Sequence, residues 1–263
     1  MAIPPKPVAI MMLAWLAACS TQSTTPEAAG YGAHPVLPPR QHTLIPTINI
    51  AKATPWSGAD RPTAAAGLRV DEFARDLQHP RWLKVLPNGD VLVAESDAPP
   101  KPDDAKGVRG WIMKKVMRLA GSGLASANRI TLLRSADGDG RAETRSVLLG
   151  GLHSPIGMAL VGDELYVADT DALLRFPYRQ GDLAISAAGI KVLDLPAGTI
   201  NHHWTRNVIA SADGQRLYVT VGSNSNAGEN GMDQEERRAA ILEVDPSGSR
   251  SRVYASGLRN PNG

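Results

Sequence analysis

The residues best suited to chemistry fall in one stretch, Asn201–Asn226, NHHWTRNVIASADGQRLYVTVGSNSN. It opens on His202 and His203 and runs through the apolar Val208–Ala210 to a turn at Asp213-Gly214. It returns through Leu217–Val221 to the small polar cluster Gly222–Asn226. Two short β-rich runs joined by Asp-Gly make a hairpin pattern. An antiparallel hairpin returns the chain to its start, so His203 is expected beside Ser223 or Asn224 at one end of a sheet. An imidazole titrates near neutrality, and next to hydroxyl and amide groups it is suited to proton transfer. The same residues also suit a plainer role, capping a strand and bonding a loop, and the stretch alone does not separate the two.

The elements that must position these residues recur along the chain. Pro80–Ser96, PRWLKVLPNGDVLVAES, has an apolar run, an Asn-Gly turn and a second run at Val91–Ala94. Pro155–Thr170, PIGMALVGDELYVADT, repeats the pattern, and His203–Gly222 repeats it again. Gly257–Gly263, GLRNPNG, matches Gly151–Gly157, GLHSPIG, and so opens a fourth copy. The copies begin near Pro80, Pro155, His203 and Pro261, at spacings of 75, 48 and 58 residues. A repeat of roughly 50 residues carrying several short strands is the mark of propeller blades. The expected fold class is therefore all-β, a β-propeller present as an incomplete arc of three to four blades over residues 63–263.

In that reading Val116–Arg118, Leu173–Phe176 and Ile241–Val244 are third strands, and Val147–Leu149 and Val192–Leu195 are outer strands. The polar insert Asp97–Trp111 is expected to be an exposed loop, and Met232–Arg238 makes one short turn at most. An open arc leaves blade faces uncovered. Losing ~500 Å² of apolar contact forfeits on the order of 12 kcal/mol, so the expectation is an N-terminal portion of a longer protein, or a ring completed by a partner chain.

Composition narrows the function. Charged residues make up 21% of the chain and the net charge is +2, which leaves no footprint for nucleic acid or for a strongly acidic partner. The first 18 residues read as an export signal, with Lys6 ahead of the apolar Val8–Ala18. That run ends in Leu16-Ala17-Ala18-Cys19, which resembles the lipobox of bacterial lipoproteins, so Cys19 is the expected lipidation site. Cys19 is the only cysteine, so no internal disulfide supports the fold. In a Gram-negative cell, Ser20 after the cysteine does not resemble an inner-membrane retention signal, and the expected anchor site is then the outer membrane, facing the periplasm. Residues 19–62, rich in Pro, Thr and Ala, read as a tether followed by irregular chain.

Two acidic stretches invite a metal reading. Asp137-Gly138-Asp139-Gly140-Arg141 resembles a calcium loop, but Arg141 stands where the fifth-position oxygen ligand belongs, so a tight turn is expected. Asn226–Arg238 gathers Glu229, Asp233, Glu235 and Glu236, which suit either a metal or sugar hydroxyl or, more plainly, a solvated loop.

Asn201–Asn226 together with Gly257-Leu258-Arg259-Asn260-Pro261 resembles the glucose/sorbosone dehydrogenase family, six-bladed propellers that use pyrroloquinoline quinone. Asn201-His202-His203-Trp204 and Glu229-Asn230-Gly231 are most similar to its sorbosone dehydrogenase branch. The resemblance implies oxidation of a sugar or aldehyde by a histidine general base, His203 in preference to its neighbour His202, between which the motif leaves the choice open. It implies Arg259 as a catalytic cation that also binds the quinone, Asn260 as a cofactor-binding residue, and calcium as a second cofactor. Calcium ligands are not assignable, because the family takes them from later blades. Ser223 stands where glucose-oxidising relatives carry an aspartate that assists the histidine. The competing reading is a non-catalytic propeller lipoprotein acting as a periplasmic binding scaffold. A calcium-dependent lactonase would need a central cluster of Asp, Asn and Glu that the sequence does not clearly offer.

Overall fold

The computed structural model describes residues 26–31, 34–36, 53–54, 60–100, 107–121 and 125–262. The expected signal segment, Cys19 and most of the tether lie outside the described residues. The chain divides into two compact units, Met1–Ala53 and Thr54–Gly263. The described part of the first holds a single 3-10 turn, Glu27–Gly30.

The second unit is built from three four-stranded antiparallel sheets. Blade 1 is β1 (Pro80–Val85), β2 (Val91–Glu95), β3 (Arg129–Arg134) and β4 (Thr144–Leu149). Blade 2 is β5 (Gly157–Val161), β6 (Glu164–Ala168), β7 (Ala172–Pro177) and β8 (Ile190–Asp194). Blade 3 is β9 (Val208–Ala210), β10 (Leu217–Val221), β11 (Ala240–Val244) and β12 (Ser251–Ala255). Within each sheet, spatial order follows chain order. This is the arrangement of propeller blades, and the molecule is a partial β-propeller, as the repeat spacing implied.

The blades pack face to face through alternating side chains. Leu92, Ile130, Leu132 and Leu148 of blade 1 meet Met158, Leu165 and Val167 of blade 2 in one buried cluster. Tyr166, Ala168 and Leu173 of blade 2 meet Val208, Leu217, Val219, Leu242 and Val244 of blade 3 in another. The inner strands of blades 2 and 3 meet at Gly157, whose N–H donates to the Arg206 carbonyl at 3.0 Å. A Cβ at Gly157 would stand 2.5 Å from the Asn207 Cα, so only glycine fits there. The two outer faces of the arc keep apolar side chains in water: Leu83 and Val85 on blade 1, Ile209 and Tyr254 on blade 3.

The blade 1 insert departs from expectation. Val116–Arg118, expected as a third strand, lies within α1 (Gly107–Leu119), and Arg129–Arg134 is the third strand instead. Straight-chain residues such as Lys114, Lys115 and Met117 favour helix. Lys115 lies over the Trp111 ring at 5.5 Å, an (i, i+4) pair on one helix face. Asp97, placed in an exposed loop by the sequence reading, is buried and takes the Arg81 Nη2 at 2.7 Å. Met232–Glu235 forms the one short 3-10 turn expected of that segment.

Candidate functional site

Strand alternation places the start of each first strand, the end of each second strand and the β10–β11 connection at the same end of the blades. Here His203 meets Ser223. The His203 N–H donates to the Ser223 carbonyl at 3.3 Å, and the His202 N–H to the Asn224 carbonyl at 3.0 Å. These bonds extend the β9–β10 pairing beyond the strands themselves. They bring the Ser223 Oγ to 2.7 Å from the His203 Nδ1. The same hydroxyl lies 2.7 Å from the Ser225 carbonyl. His203 is half-buried, and its ring bond among the described residues is at Nδ1, not at Nε2.

The chain after β12 returns to this point. The Ser223 N–H donates to the Arg259 carbonyl at 2.9 Å. The Arg259 guanidinium is exposed and donates from Nε (3.1 Å) and Nη2 (2.9 Å) to the carbonyl and side-chain oxygens of Asn226. The Asn260 Oδ1 accepts from the Thr205 hydroxyl at 3.1 Å. Gly222 makes this convergence possible. A Cβ there would lie 2.5 Å from the His203 Cβ, 2.6 Å from its carbonyl oxygen and 2.7 Å from the Asn260 Oδ1. His203, Arg259 and Asn260, singled out from sequence, therefore share one end of blade 3, around a residue that must lack a side chain.

Burial, and then the nearby positive charge of Arg259, hold the His203 pKa below its ordinary value; His202 adds to the effect. The bond to the Ser223 backbone and the more distant Glu235 oppose the shift without reversing it. The imidazole is thus neutral and ready to accept a proton at physiological pH.

The loop carrying Ser223–Asn226 is fixed by a residue that the sequence reading left as a metal ligand or a solvated acid. The Glu235 carboxylate accepts the Asn224 N–H at 2.8 Å, the Ser225 N–H at 3.0 Å and the Ser225 hydroxyl at 2.6 Å. Burial works against ionisation of Glu235, but these hydrogen bonds outweigh it and its pKa is lowered. Glu229 closes the next turn by accepting the N–H groups of Asn226 and Ala227, which bring its pKa down to about 2. Both acids organise loop backbone.

Beneath His203 lies a buried arginine that sequence reasoning missed. Arg206 is 1% exposed. It donates to the carbonyls of His203 (2.7 Å), Thr205 (2.9 Å) and Pro196 (2.6 Å), and to the Asn201 Oδ1 (3.1 Å). Arg238, also buried, donates to the same Asn201 oxygen at 2.8 Å and to the Ala197 carbonyl. Burial, and then Arg238, push the Arg206 pKa down to about 9, still charged at neutral pH. A fully buried cation bonded to carbonyl oxygens pins the segment that carries His203. Its position in the RNV run beside the His pair was the only signal in the sequence.

The remaining acids stand elsewhere. Asp137, Asp139 and Glu143 lie together in the exposed β3–β4 turn, at the other end of blade 1, and their ligand atoms are within 4.8 Å of one another. The Asp137 Oδ1 accepts the Asp139 N–H at 3.0 Å and the Asp139 Oδ1 accepts the Arg141 N–H at 2.8 Å, the bonding of the tight turn expected there. Among the described residues no helix is long and apolar enough to cross a membrane.

No family model matches the sequence, and no curated protein matches it. Solved structures do. The holo form of the pyranose dehydrogenase PQQ domain from Coprinopsis cinerea is similar over 75% of this chain and 43% of its own, at 20% identity and a TM-score of 0.54. The iodide structure of a Trichoderma reesei Carbohydrate-Active Enzymes family AA12 protein is similar over 76% of this chain and 45% of its own, at 17% identity and a TM-score of 0.55. A calcium structure of the Trichoderma reesei AA12 protein gives the same figures. These likenesses establish the fold, and the chain spans less than half the length of each of these three structures.

Proposed function

We propose that this chain carries the catalytic histidine of a pyrroloquinoline quinone-dependent sugar dehydrogenase of the sorbosone dehydrogenase type. The observation that carries the reading is the convergence of His203, Arg259 and Asn260 around Gly222 at one end of a blade whose fold is that of PQQ domains. The sugar hydroxyl gives its proton to the His203 Nε2 as the hydrogen on the same carbon leaves with its electron pair. The quinone, when bound, supplies the acceptor for that hydride. His203 is neutral at working pH because burial and Arg259 depress its proton affinity. Arg259 provides an exposed fixed cation to face negative charge developing on the oxidant.

The residues fit an anionic quinone. An exposed guanidinium, a side-chain amide and a backbone cradle too tight for any Cβ share one end of the blade. Calcium is a further expectation of the reading. It needs six to eight oxygen ligands, and among the described residues the acidic group that could hold a cation, Asp137, Asp139 and Glu143, lies at the other end of blade 1.

The test is reconstitution of the full-length gene product with calcium and pyrroloquinoline quinone, followed by dye reduction with a panel of aldoses and aldehydes. Turnover is expected. A folded, quinone-loaded protein without turnover would reject the enzyme reading in favour of a binding scaffold. The reading also makes the protein an exported lipoprotein anchored through Cys19. Metabolic labelling with a fatty acid should mark the wild-type protein and fail in Cys19→Ala; equal labelling of both would refute the anchor.

A further inference from the structure

We propose that Ser223 is a positioning residue that locks His203 as its Nδ1–H tautomer through a neutral relay ending on the Ser225 carbonyl, with Glu235 fixing the far end. The proposal deepens the dehydrogenase reading by naming the ring nitrogen that takes the proton, although the tautomer stands whether or not that reading does.

The argument is a count of hydrogens. A serine hydroxyl has one proton to donate and lone pairs to accept with. The Ser223 Oγ touches two groups, the Ser225 carbonyl and the His203 Nδ1, each at 2.7 Å. A carbonyl only accepts, so the hydroxyl proton is spent on Ser225. The contact with Nδ1 then needs a proton on the ring. In a neutral imidazole that leaves the lone pair on Nε2, the nitrogen with no bond to a described residue.

The relay is held from behind. The Ser225 N–H and hydroxyl both donate to the Glu235 Oε1, and the Gly228 N–H donates to the Ser225 Oγ at 3.0 Å. The Ser225 carbonyl cannot swing away without breaking these bonds. Arg206 fixes the other side, through the His203 carbonyl.

The charges around His203 complete the picture. Arg259 and His202 disfavour its protonation, Arg206 is bonded to its backbone, and Glu235 acts from beyond Ser225. Among the described residues no carboxylate is bonded to the ring. Ser223 therefore orients the base without strengthening it, unlike a carboxylate partner, which would stabilise the imidazolium.

The experiment is ¹⁵N NMR of the 263-residue chain labelled at histidine, with the His203 signals identified by their loss in His203→Gln. Above its titration His203 should show a protonated Nδ1 and an unprotonated Nε2, with a midpoint below that of an ordinary histidine. Ser223→Ala should give a mixture of both tautomers, Ser223→Thr should restore the single one, and Ser223→Asp should raise the midpoint by about 1–2 pH units. A wild-type His203 protonated on Nε2, or an unchanged tautomer in Ser223→Ala, would overturn the proposal. The wild-type spectrum decides even where Ser223→Ala does not fold. A loaded enzyme that fails to turn over while His203 is the Nδ1–H form rejects the dehydrogenase and keeps the relay. Turnover with His203 as the Nε2–H form does the reverse.

Discussion

At the end of β6 the chain reads Ala168-Asp169-Thr170, and at the end of β10 it reads Val221-Gly222-Ser223. In blade 2 the Thr170 hydroxyl donates to the Trp204 carbonyl at 2.9 Å, tying the blade to the one that follows. Blade 1 does the same, with the Ser96 hydroxyl donating to the Pro155 carbonyl at 2.6 Å. In blade 3 the hydroxyl of Ser223 turns instead to His203 and Ser225. The preceding residue changes with it: a buried acid in blades 1 and 2, Glu95 and Asp169, becomes glycine in blade 3. One strand end serves construction of the arc twice and houses the candidate chemistry once. The exchange of a large buried side chain for none opens the space that His203 and Asn260 fill.

The largest effect should come from the construction side. Glu95 is fully buried and is held by Arg129 at 3.0 Å through both carboxylate oxygens, by Thr131 and by the Gln78 N–H. Glu95→Ala leaves Arg129 and these donors unpaired, at a cost of roughly 3–5 kcal/mol. A denaturant midpoint that barely moves would show that the acid does not hold blade 1 together.

Next is Gly222→Ala. Overpacking of this kind costs about 1–3 kcal/mol, and here the displaced atoms are His203 and Asn260. The loss of activity should therefore exceed the loss of stability, with the His203 ring signals shifted in NMR. Glycine to alanine at the exposed Gly150, where a Cβ meets nothing closer than 3.8 Å, should leave both unchanged.

Asp169 gives a smaller effect with a pH signature. It is 3% exposed; its Oδ2 accepts the His153 N–H at 2.8 Å, and its Oδ1 has no partner among the described residues. Burial raises its pKa to about 6. A folded-state value above the unfolded one means that ionisation costs stability as pH rises through 6, and that the cost is absent below about pH 4. Asp169→Asn should therefore stabilise the protein by about 1–3 kcal/mol at pH 8 and by almost nothing at pH 4. Equal effects at both pH values would contradict the assignment.

Much of this comparison was legible in the sequence. The turns Asn88-Gly89, Gly162-Asp163 and Asp213-Gly214 mark the first hairpin of each blade, and period-two apolar runs flank them. Return of the chain after β10 placed Ser223 beside His203 by geometry alone, and the Arg259-Asn260-Pro261 turn joined them through its likeness to a known family. The helix α1 was not legible. Its apolar residues Trp111, Ile112, Met117 and Leu119 are exposed, so no buried stripe marks a helical period, and Val116–Arg118 passed for a strand. The loop-fixing role of Glu235, and Arg206 altogether, were not legible for another reason. Most of their partners are backbone groups, and no spacing along the chain encodes a bond to a carbonyl or an N–H.

The central claim is that His203 is the proton acceptor, and the direct measurement is dye-linked oxidation of an aldose by protein carrying pyrroloquinoline quinone and calcium, wild type against His203→Gln. The account predicts a rate lower by about 10²–10⁴ with quinone binding retained. A His203→Gln protein that binds the quinone and turns over at the wild-type rate would contradict it.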